Sequence, residues 1–325
     1  MKTNATLLMA GAITILFILA LAAGCTTPAP GGNETPAGTA TPAPAGGANV
    51  LRIATTTSLE NTGLLAELER VYESETGVDL QFIAQGTGQS IDSGRRGDVD
   101  LVLVHSPDLE QQFIDEGYGI NPRCIAYNYF IIVGPASDPA GIANMTPVEA
   151  FQTIYAAGTN GTAGVAFVSR GDNSGTHNQE KALWEEAGYD YETEIVDSGA
   201  WYVEAGKGMG DTLILANEQQ AYTLSDEGTY LSFADRLDLV PVIAEGAELL
   251  NRYSAIAVNP AMHPGVNAQG AADFINWLTT NETKQMIGEF GAEEFGKPLF
   301  TPLYAPECTE PPFNCTCAEP VPTPT

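Results

Sequence analysis

Val99-Asp100-Leu101-Val102-Leu103-Val104-His105-Ser106 is apolar at five of its first six positions and then turns abruptly polar. A short apolar run without alternation has both faces covered, the situation of a strand inside the parallel sheet of an α/β protein. Two segments upstream fit the same sheet. Residues 50–55 read as a strand that leads into Thr56-Thr57-Ser58, with an amphipathic helix over 63–74. Residues 78–84 read as the next strand, ending in Gly86-Thr87-Gly88, with a helix opening near Gln89. Strand, loop and helix repeated in this way predict a doubly wound α/β sheet flanked by helices. Ligands of such sheets bind beyond the carboxyl ends of the strands, where Thr56-Thr57-Ser58, Gly86-Thr87-Gly88 and His105-Ser106 all fall. Each turn alone suits a helix cap, but three at neighbouring strand ends suit a ligand.

A second α/β unit follows. Residues 125–134 read as a longer strand, 147–156 as a helix, 165–168 as a strand and 178–188 as a helix. Between the last two lies Ser169-Arg170-Gly171-Asp172-Asn173-Ser174-Gly175-Thr176-His177. From Arg170 onward this segment offers a guanidinium, two hydroxyls and backbone N–H groups at the start of a helix, where unpaired donors and the positive dipole end favour an anion. Arg170 adds a planar fork of donors that suits an oxyanion, and Asp172 stands two residues on, placed to orient it. Further on, a helix over 211–217, a strand near 221–224, strands over 240–244 and 253–258, and helices over 268–279 and 281–290 complete the pattern. Gly206-Lys207-Gly208-Met209-Gly210 lacks the Lys-Ser/Thr ending of a phosphate-binding loop, which excludes a nucleotide site there.

The chain of 325 residues carries 41 acidic and 13 basic residues, a formal net charge of −28. That balance excludes a nucleic-acid binder, which presents a basic face. A bound anion must therefore be held by local dipoles and one or two cations. Lys2, an apolar run over 7–23 and Gly24-Cys25 read as a secretory signal over 1–24, with Cys25 as a lipidated mature N-terminus that anchors the protein at the outer face of the membrane. Residues 25–49, rich in Pro, Ala, Gly and Thr, read as a disordered tether, and the Pro-rich stretch 311–325 mirrors it. Cys124, Cys308, Cys315 and Cys317 are an even set in an exported chain, which predicts two disulfides in one of three pairings, one of them stapling the tail (304–325) to Cys124. Asn144, Asn160 and Asn281 each open a glycan sequon.

Several of these motifs stand in an order that resembles one family. Ala54-Thr55-Thr56-Thr57-Ser58, Gly86-Thr87-Gly88-Gln89, the run from Asp100 to His105, the run from Tyr127 to Pro135 and the run from Ser169 to His177 carry the likeness. Gly208-Met209-Gly210, Ala221-Tyr222-Thr223-Leu224 and Val258-Asn259-Pro260 continue it, so that it covers about residues 51–303. Together they are similar to the tungstate-binding (Tup-type) lipoproteins that feed ABC importers. The resemblance implies a two-lobed, type II periplasmic-binding-protein fold with an oxyanion bound in the cleft between lobes. Lobe one would be 51–130 plus 239–303, and lobe two 131–238. The ligand would be tungstate, or molybdate of nearly equal size and charge, and the partner an ABC-transporter permease, the protein itself being a monomer. Carried onto this sequence, Thr57, Ser58 and Thr87 would donate from one lobe, and Arg170, Ser174, Gly175 and Thr176 from the other. No metal or cofactor is implied. His105, Ser106 and His177 would support or cap the site without touching the ligand.

Two alternatives are open at this point. The Arg-x-Asp-x-Ser-Gly-Thr pattern is also similar to phosphate-binding proteins. An exported phosphoryl-transfer hydrolase using Ser174 and His177 is the other, but it would need a metal-carboxylate cluster or an oriented base, and neither is visible. His177 and Glu180 have the i, i+3 spacing of a metal pair without a third ligand.

Overall fold

The computed structural model describes residues 49–322. The signal segment, Cys25 and the tether up to residue 48 lie outside the described residues, and among the described residues no helix is long and apolar enough to cross a membrane.

The chain begins β1 (Val50–Thr56), α1 (Thr57–Asn61), α2 (Leu64–Thr76), β2 (Asp79–Gln85), α3 (Thr87–Arg96), β3 (Leu101–Val104), α4 (Pro107–Asp115) and β4 (Gly119–Pro135). It continues with α5 (Pro147–Thr159), β5 (Phe167–Ser169), α6 (Gly175–Glu186), β6 (Tyr202–Glu204), α7 (Met209–Gln219), β7 (Thr223–Asp226) and α8 (Glu227–Phe233). It ends with β8 (Leu239–Ile243), β9 (Leu250–Val258), α9 (Ala268–Leu278), α10 (Asn281–Glu289), α11 (Ala292–Phe295) and the short β10 (Thr301–Pro302).

The run that opened the sequence reading is β3, buried at all four positions. It pairs in parallel with β1, which pairs in parallel with β2. On its other side, however, β3 meets β9 antiparallel, and β9 meets β4 antiparallel, so the sheet is mixed. An apolar run reports that both faces are covered and says nothing of the direction of the neighbour, which is why the sequence suggests a purely parallel environment. Leu51, Ile53, Leu101 and Leu103 face a core closed by α2, α9 and α10, while Ile91, Val102, Phe113 and Ile256 form the core under α3 and α4 on the opposite side.

β4 organises the rest. From Gly119 to Tyr129 it pairs with β9; from Phe130 onward it pairs with β7 and then β8. Its second half is covered by an aromatic cluster that includes Phe151, Phe167, Trp184, Trp201 and Tyr202, and on the other side by Met209 and Leu213 of α7. β8, expected at the start of the segment returning to lobe one, pairs instead with Ile132–Pro135, and Leu239 and Ile243 are buried with these later clusters. The chain rejoins the first set of strands only at Leu250. The apolar run Leu239-Val240-Pro241-Val242-Ile243 identifies a strand but not its partner, and this accounts for the difference.

The Pro-rich tail, expected to be disordered, is packed against the fold up to residue 322. Disulfides join Cys124 to Cys315 and Cys308 to Cys317. Phe313, Cys317 and Val321 are buried, Cys124 N–H donates to the Thr316 carbonyl, and the Lys284 ammonium donates to the Cys317 carbonyl. Arg123 and Arg252 donate to the Glu319, Pro320 and Phe313 carbonyls. A proline-rich segment cannot satisfy its own carbonyls in a ladder; here cationic side chains donate to them, and two cross-links hold the segment in place. Non-reducing peptide mapping of the exported protein should therefore recover a Cys124–Cys315 peptide pair and a Cys308–Cys317 fragment. A Cys124–Cys308 or Cys124–Cys317 pair would contradict this arrangement.

Candidate functional site

The strand ends converge. β1 ends at Thr56, whose hydroxyl oxygen accepts the Leu59 N–H and so caps α1; Thr57 and Ser58 are therefore the first residues of a helix and not a free loop. β2 runs through Gly86 into α3, which begins at Thr87, two residues earlier than the pattern predicts. β5 ends at Ser169, and the chain then turns through Gly171 and Asn173, both with positive φ, before Ser174 caps α6. The left-handed conformation at Gly171 is reinforced by space: a Cβ there would stand 2.6 Å from Cβ of Glu204. Asp172 holds the turn, one carboxylate oxygen accepting the Ser174 N–H at 3.2 Å and the other accepting Arg170 Nη2–H at 2.5 Å. β6 leads into α7, which starts at Met209 after Gly208.

Contacts between these turns are direct. Arg170, 1% exposed, donates from Nη2 to the Thr57 hydroxyl oxygen at 3.2 Å and from Nε to the Lys207 carbonyl at 3.4 Å. Gly88 N–H donates to the Asn173 carbonyl at 3.1 Å, and a Cβ on Gly88 would overlap the Asn173 side chain. A Cβ on Gly175 would meet the His105 ring at 2.7 Å. The glycines here permit close approach of one turn to another. Thr57, Ser58, Thr87, Arg170, Ser174, Gly175 and Thr176 thus all lie on three turns in mutual contact, and apart from the half-buried Thr57 each is buried.

Their hydrogen bonds are incomplete in a consistent way. Thr87 Oγ1, Arg170 Nη1 and Thr176 Oγ1 are buried and have no partner among the described residues. The Thr57 and Ser174 oxygens accept, from Arg170 and from the His177 N–H, which leaves both hydroxyl protons uncommitted. Buried donors without partners are rare in folded proteins and costly, at about 1–3 kcal/mol each. Burial lowers the Arg170 pKa and Asp172 counteracts this, so the guanidinium stays charged.

The remaining titratable groups are engaged elsewhere. Asp100 is bound to Arg52, and Asp98 to Arg96, before the start of β3. His177 accepts the Asn173 N–H at Nδ1 and meets the Tyr191 hydroxyl through Nε2, so its ring does not address Ser174. Glu180 accepts from Trp184 Nε1 and the Tyr202 hydroxyl, and burial raises its pKa to about 7. Asp226 at the end of β7 is one group the sequence reading misses. It is fully buried, burial raises its pKa and nearby Arg170 opposes that rise. Both of its oxygens accept from Thr229, the backbone N–H and the hydroxyl, at 2.8 Å. The strand was expected near 221–224; Asp226-Glu227-Gly228-Thr229, an acidic cap before a helix, is the signal that marks its true end.

The geometry describes a class: two α/β units joined by a shared strand, with buried, unpartnered donors on their strand-end turns. Residues 39–282 match the family described as PBP superfamily domain. The tungstate-binding protein TupA of Peptoclostridium acidaminophilum is 40% identical over 291 residues, covering 89% of this chain and 96% of that protein. The structure of the tungstate ABC transporter from Geobacter sulfurreducens is 42% identical with a TM-score of 0.65, covering 74% of this chain and 98% of that one. TupA from Desulfovibrio alaskensis G20 is 42% identical with a TM-score of 0.64, covering 80% and 99%. The chain belongs to the periplasmic-binding-protein superfamily, type II, and within it to the family of Tup-type tungstate-binding proteins.

Proposed function

We propose that this protein captures tungstate, or the nearly isosteric molybdate, outside the cytoplasm and delivers it to the permease of an ABC importer. The observation that carries this reading is the set of three orphaned donors, Thr87 Oγ1, Arg170 Nη1 and Thr176 Oγ1, on turns held against one another. A tetrahedral dianion placed among them would satisfy all three and would also take the free protons of Thr57 and Ser174. Backbone N–H groups at Gly175 and Thr176, in the first turn of α6, add the dipole of a twelve-residue helix. Neither a nucleophile–base pair nor a metal ligand set is needed for such a role, and the ring of His177 is turned away from Ser174. Lipidation at Cys25 would keep a monomeric protein near its transporter.

Phosphate is disfavoured on chemical grounds. A hydrogen phosphate carries a proton and is best held where a carboxylate accepts it. Tungstate is fully deprotonated at neutral pH and wants donors only. Around the turns, Asp172 is taken by Arg170 and Ser174, and Asp226 by Thr229.

Donors contributed by both units, the lobes of this reading, reach one anion only when the turns meet, as they do here through Arg170 and Thr57. Without ligand, the charged and polar lining would gain from hydration by opening about the β4 and β8–β9 connections. Small-angle scattering should therefore show a smaller radius of gyration with tungstate than without it, and no change with phosphate. An unchanged radius with saturating tungstate would argue against the cleft.

A further inference from the structure

Resting on that reading, we infer that His105 is a positioning residue that commits the Ser58 hydroxyl proton inside the protein, so that Ser58 secures the first turn and is not a donor to the anion. The argument starts at a fixed point, the Leu299 carbonyl, which can only accept. Asn128 Nδ2 donates to it at 3.4 Å, so Asn128 Oδ1 faces the other way and accepts Asn251 Nδ2–H at 2.8 Å. Asn251 Nδ2 also donates to the Tyr253 hydroxyl, which leaves Asn251 Oδ1 to face His105 Nδ1 at 2.8 Å. An amide oxygen opposite Nδ1 requires the proton on Nδ1, and in a neutral ring Nε2 is then the acceptor. The ring is neutral: burial brings its pKa down to about 4 and Arg170 adds to that, while the bond to Asn251 and the charge of Asp172 offset it only partly. Tyr253 and Phe130 stack on the ring and add no charge to it at neutral pH.

The polarity continues outward. His105 Nε2 lies 3.1 Å from Ser58 Oγ, and Ser58 Oγ lies 3.1 Å from Thr56 Oγ1. Thr56 Oγ1 already accepts the Leu59 N–H. Only one assignment satisfies every atom: Thr56 donates to Ser58, and Ser58 donates to His105. Six groups from β1, α1, the turn after β3, β4, β9 and the Leu299 segment therefore form one directed chain. Its outer end pins the turn that carries Thr57, the residue in contact with Arg170. Of the hydroxyls at the site, those of Thr57, Thr87, Ser174 and Thr176 keep a free proton, and that of Ser58 does not.

The three histidines of the chain make the test direct. Nε2 of His263 faces the Arg95 carbonyl and Nδ1 of His177 accepts a backbone N–H, so both must carry the proton on Nε2. Long-range proton–nitrogen correlation spectra of the ¹⁵N-labelled protein at pH 7.5 should show two Nε2–H rings and one Nδ1–H ring, the last assigned to His105 by its absence in His105→Phe. Saturating tungstate should leave the His105 Nε2 resonance at its hydrogen-bonded position. An Nε2–H or doubly protonated His105 would overturn the inference, as would a tungstate-induced shift showing that Nε2 has lost its donor. In calorimetric titration with tungstate, Ser58→Ala and His105→Phe should each lose roughly three- to tenfold in affinity, and the double variant no more than the worse single one, because both break the same tie. A loss for Ser58→Ala at least tenfold beyond that of His105→Phe would identify Ser58 as a ligand donor and overturn it too. Failure of the wild-type protein to bind tungstate would overturn the proposed function instead, while the spectrum of the free protein would still decide the tautomer.

Discussion

Replacing Arg170 with glutamine is expected to weaken tungstate binding by roughly 2–4 kcal/mol, about 30- to 1,000-fold, the scale for removing one partner of a buried, hydrogen-bonded charge pair. Two losses combine. The anion loses the buried guanidinium beside it, and Asp172 loses the cation that neutralises it, leaving a carboxylate facing the dianion. The Thr57 hydroxyl also loses the Arg170 N–H that orients it. Arg170→Lys should cost less, because an ammonium keeps the charge but cannot serve Asp172, Thr57 and the ligand at once. Titration of both variants checks this order. Wild-type affinity in Arg170→Gln would mean that the site is misplaced.

Arg252→Met is expected to act on stability, lowering it by about 3–5 kcal/mol at neutral pH without touching the anion turns. Arg252 lies on β9 and donates to the Glu110 carboxylate at 3.0 Å and to the Phe313 carbonyl of the stapled tail at 3.0 Å. Glu110 is fully buried in the first turn of α4, where its other oxygen accepts the Ser106 N–H. Burial already raises its pKa from 4.5, with Arg252 the main opposing influence. Without Arg252 that pKa rises further. A carboxyl with a raised folded-state pKa binds its proton more tightly when folded, so its contribution is favourable below the unfolded value and is lost as pH rises through the folded one. The deficit of Arg252→Met should accordingly be smaller at pH 5 than at pH 7.5, and Glu110→Gln in the same background should recover part of it. Thermal unfolding at the two pH values measures this. An equal deficit at both, or none, would show that the pair is not what holds β9 to α4.

Much of this molecule is legible in its sequence because its units are local. The β1, β2 and β3 runs, their following helices and the Ser174 cap announce themselves through periodicity and turn chemistry within a dozen residues. The three turns that carry Thr57, Thr87 and Arg170 come together because they follow strand ends, a rule that needs no coordinates. What escaped the reading depends on contacts distant in the chain. The antiparallel placement of β9 beside β3, the pairing of β8 with the far half of β4, and the docking of the tail under Arg123, Arg252 and Lys284 leave no mark on the local pattern. Asp226 escaped because its strand runs two residues past the apolar stretch. Asn128 and Asn251 escaped because polar residues inside apolar strands carry meaning only when their partners are known. The sequence also makes Ser58 look equivalent to Thr57, and only the bonds to His105 and Thr56 separate them.

The central claim is that the donor-lined turns take a fully deprotonated oxyanion in preference to a protonated one. Isothermal titration of the exported protein with tungstate, molybdate, sulfate and phosphate at neutral pH tests it most directly. The account predicts one tungstate per chain, bound without added metal and not displaced by a large excess of phosphate. Preferential binding of phosphate, or no heat with tungstate, would contradict it.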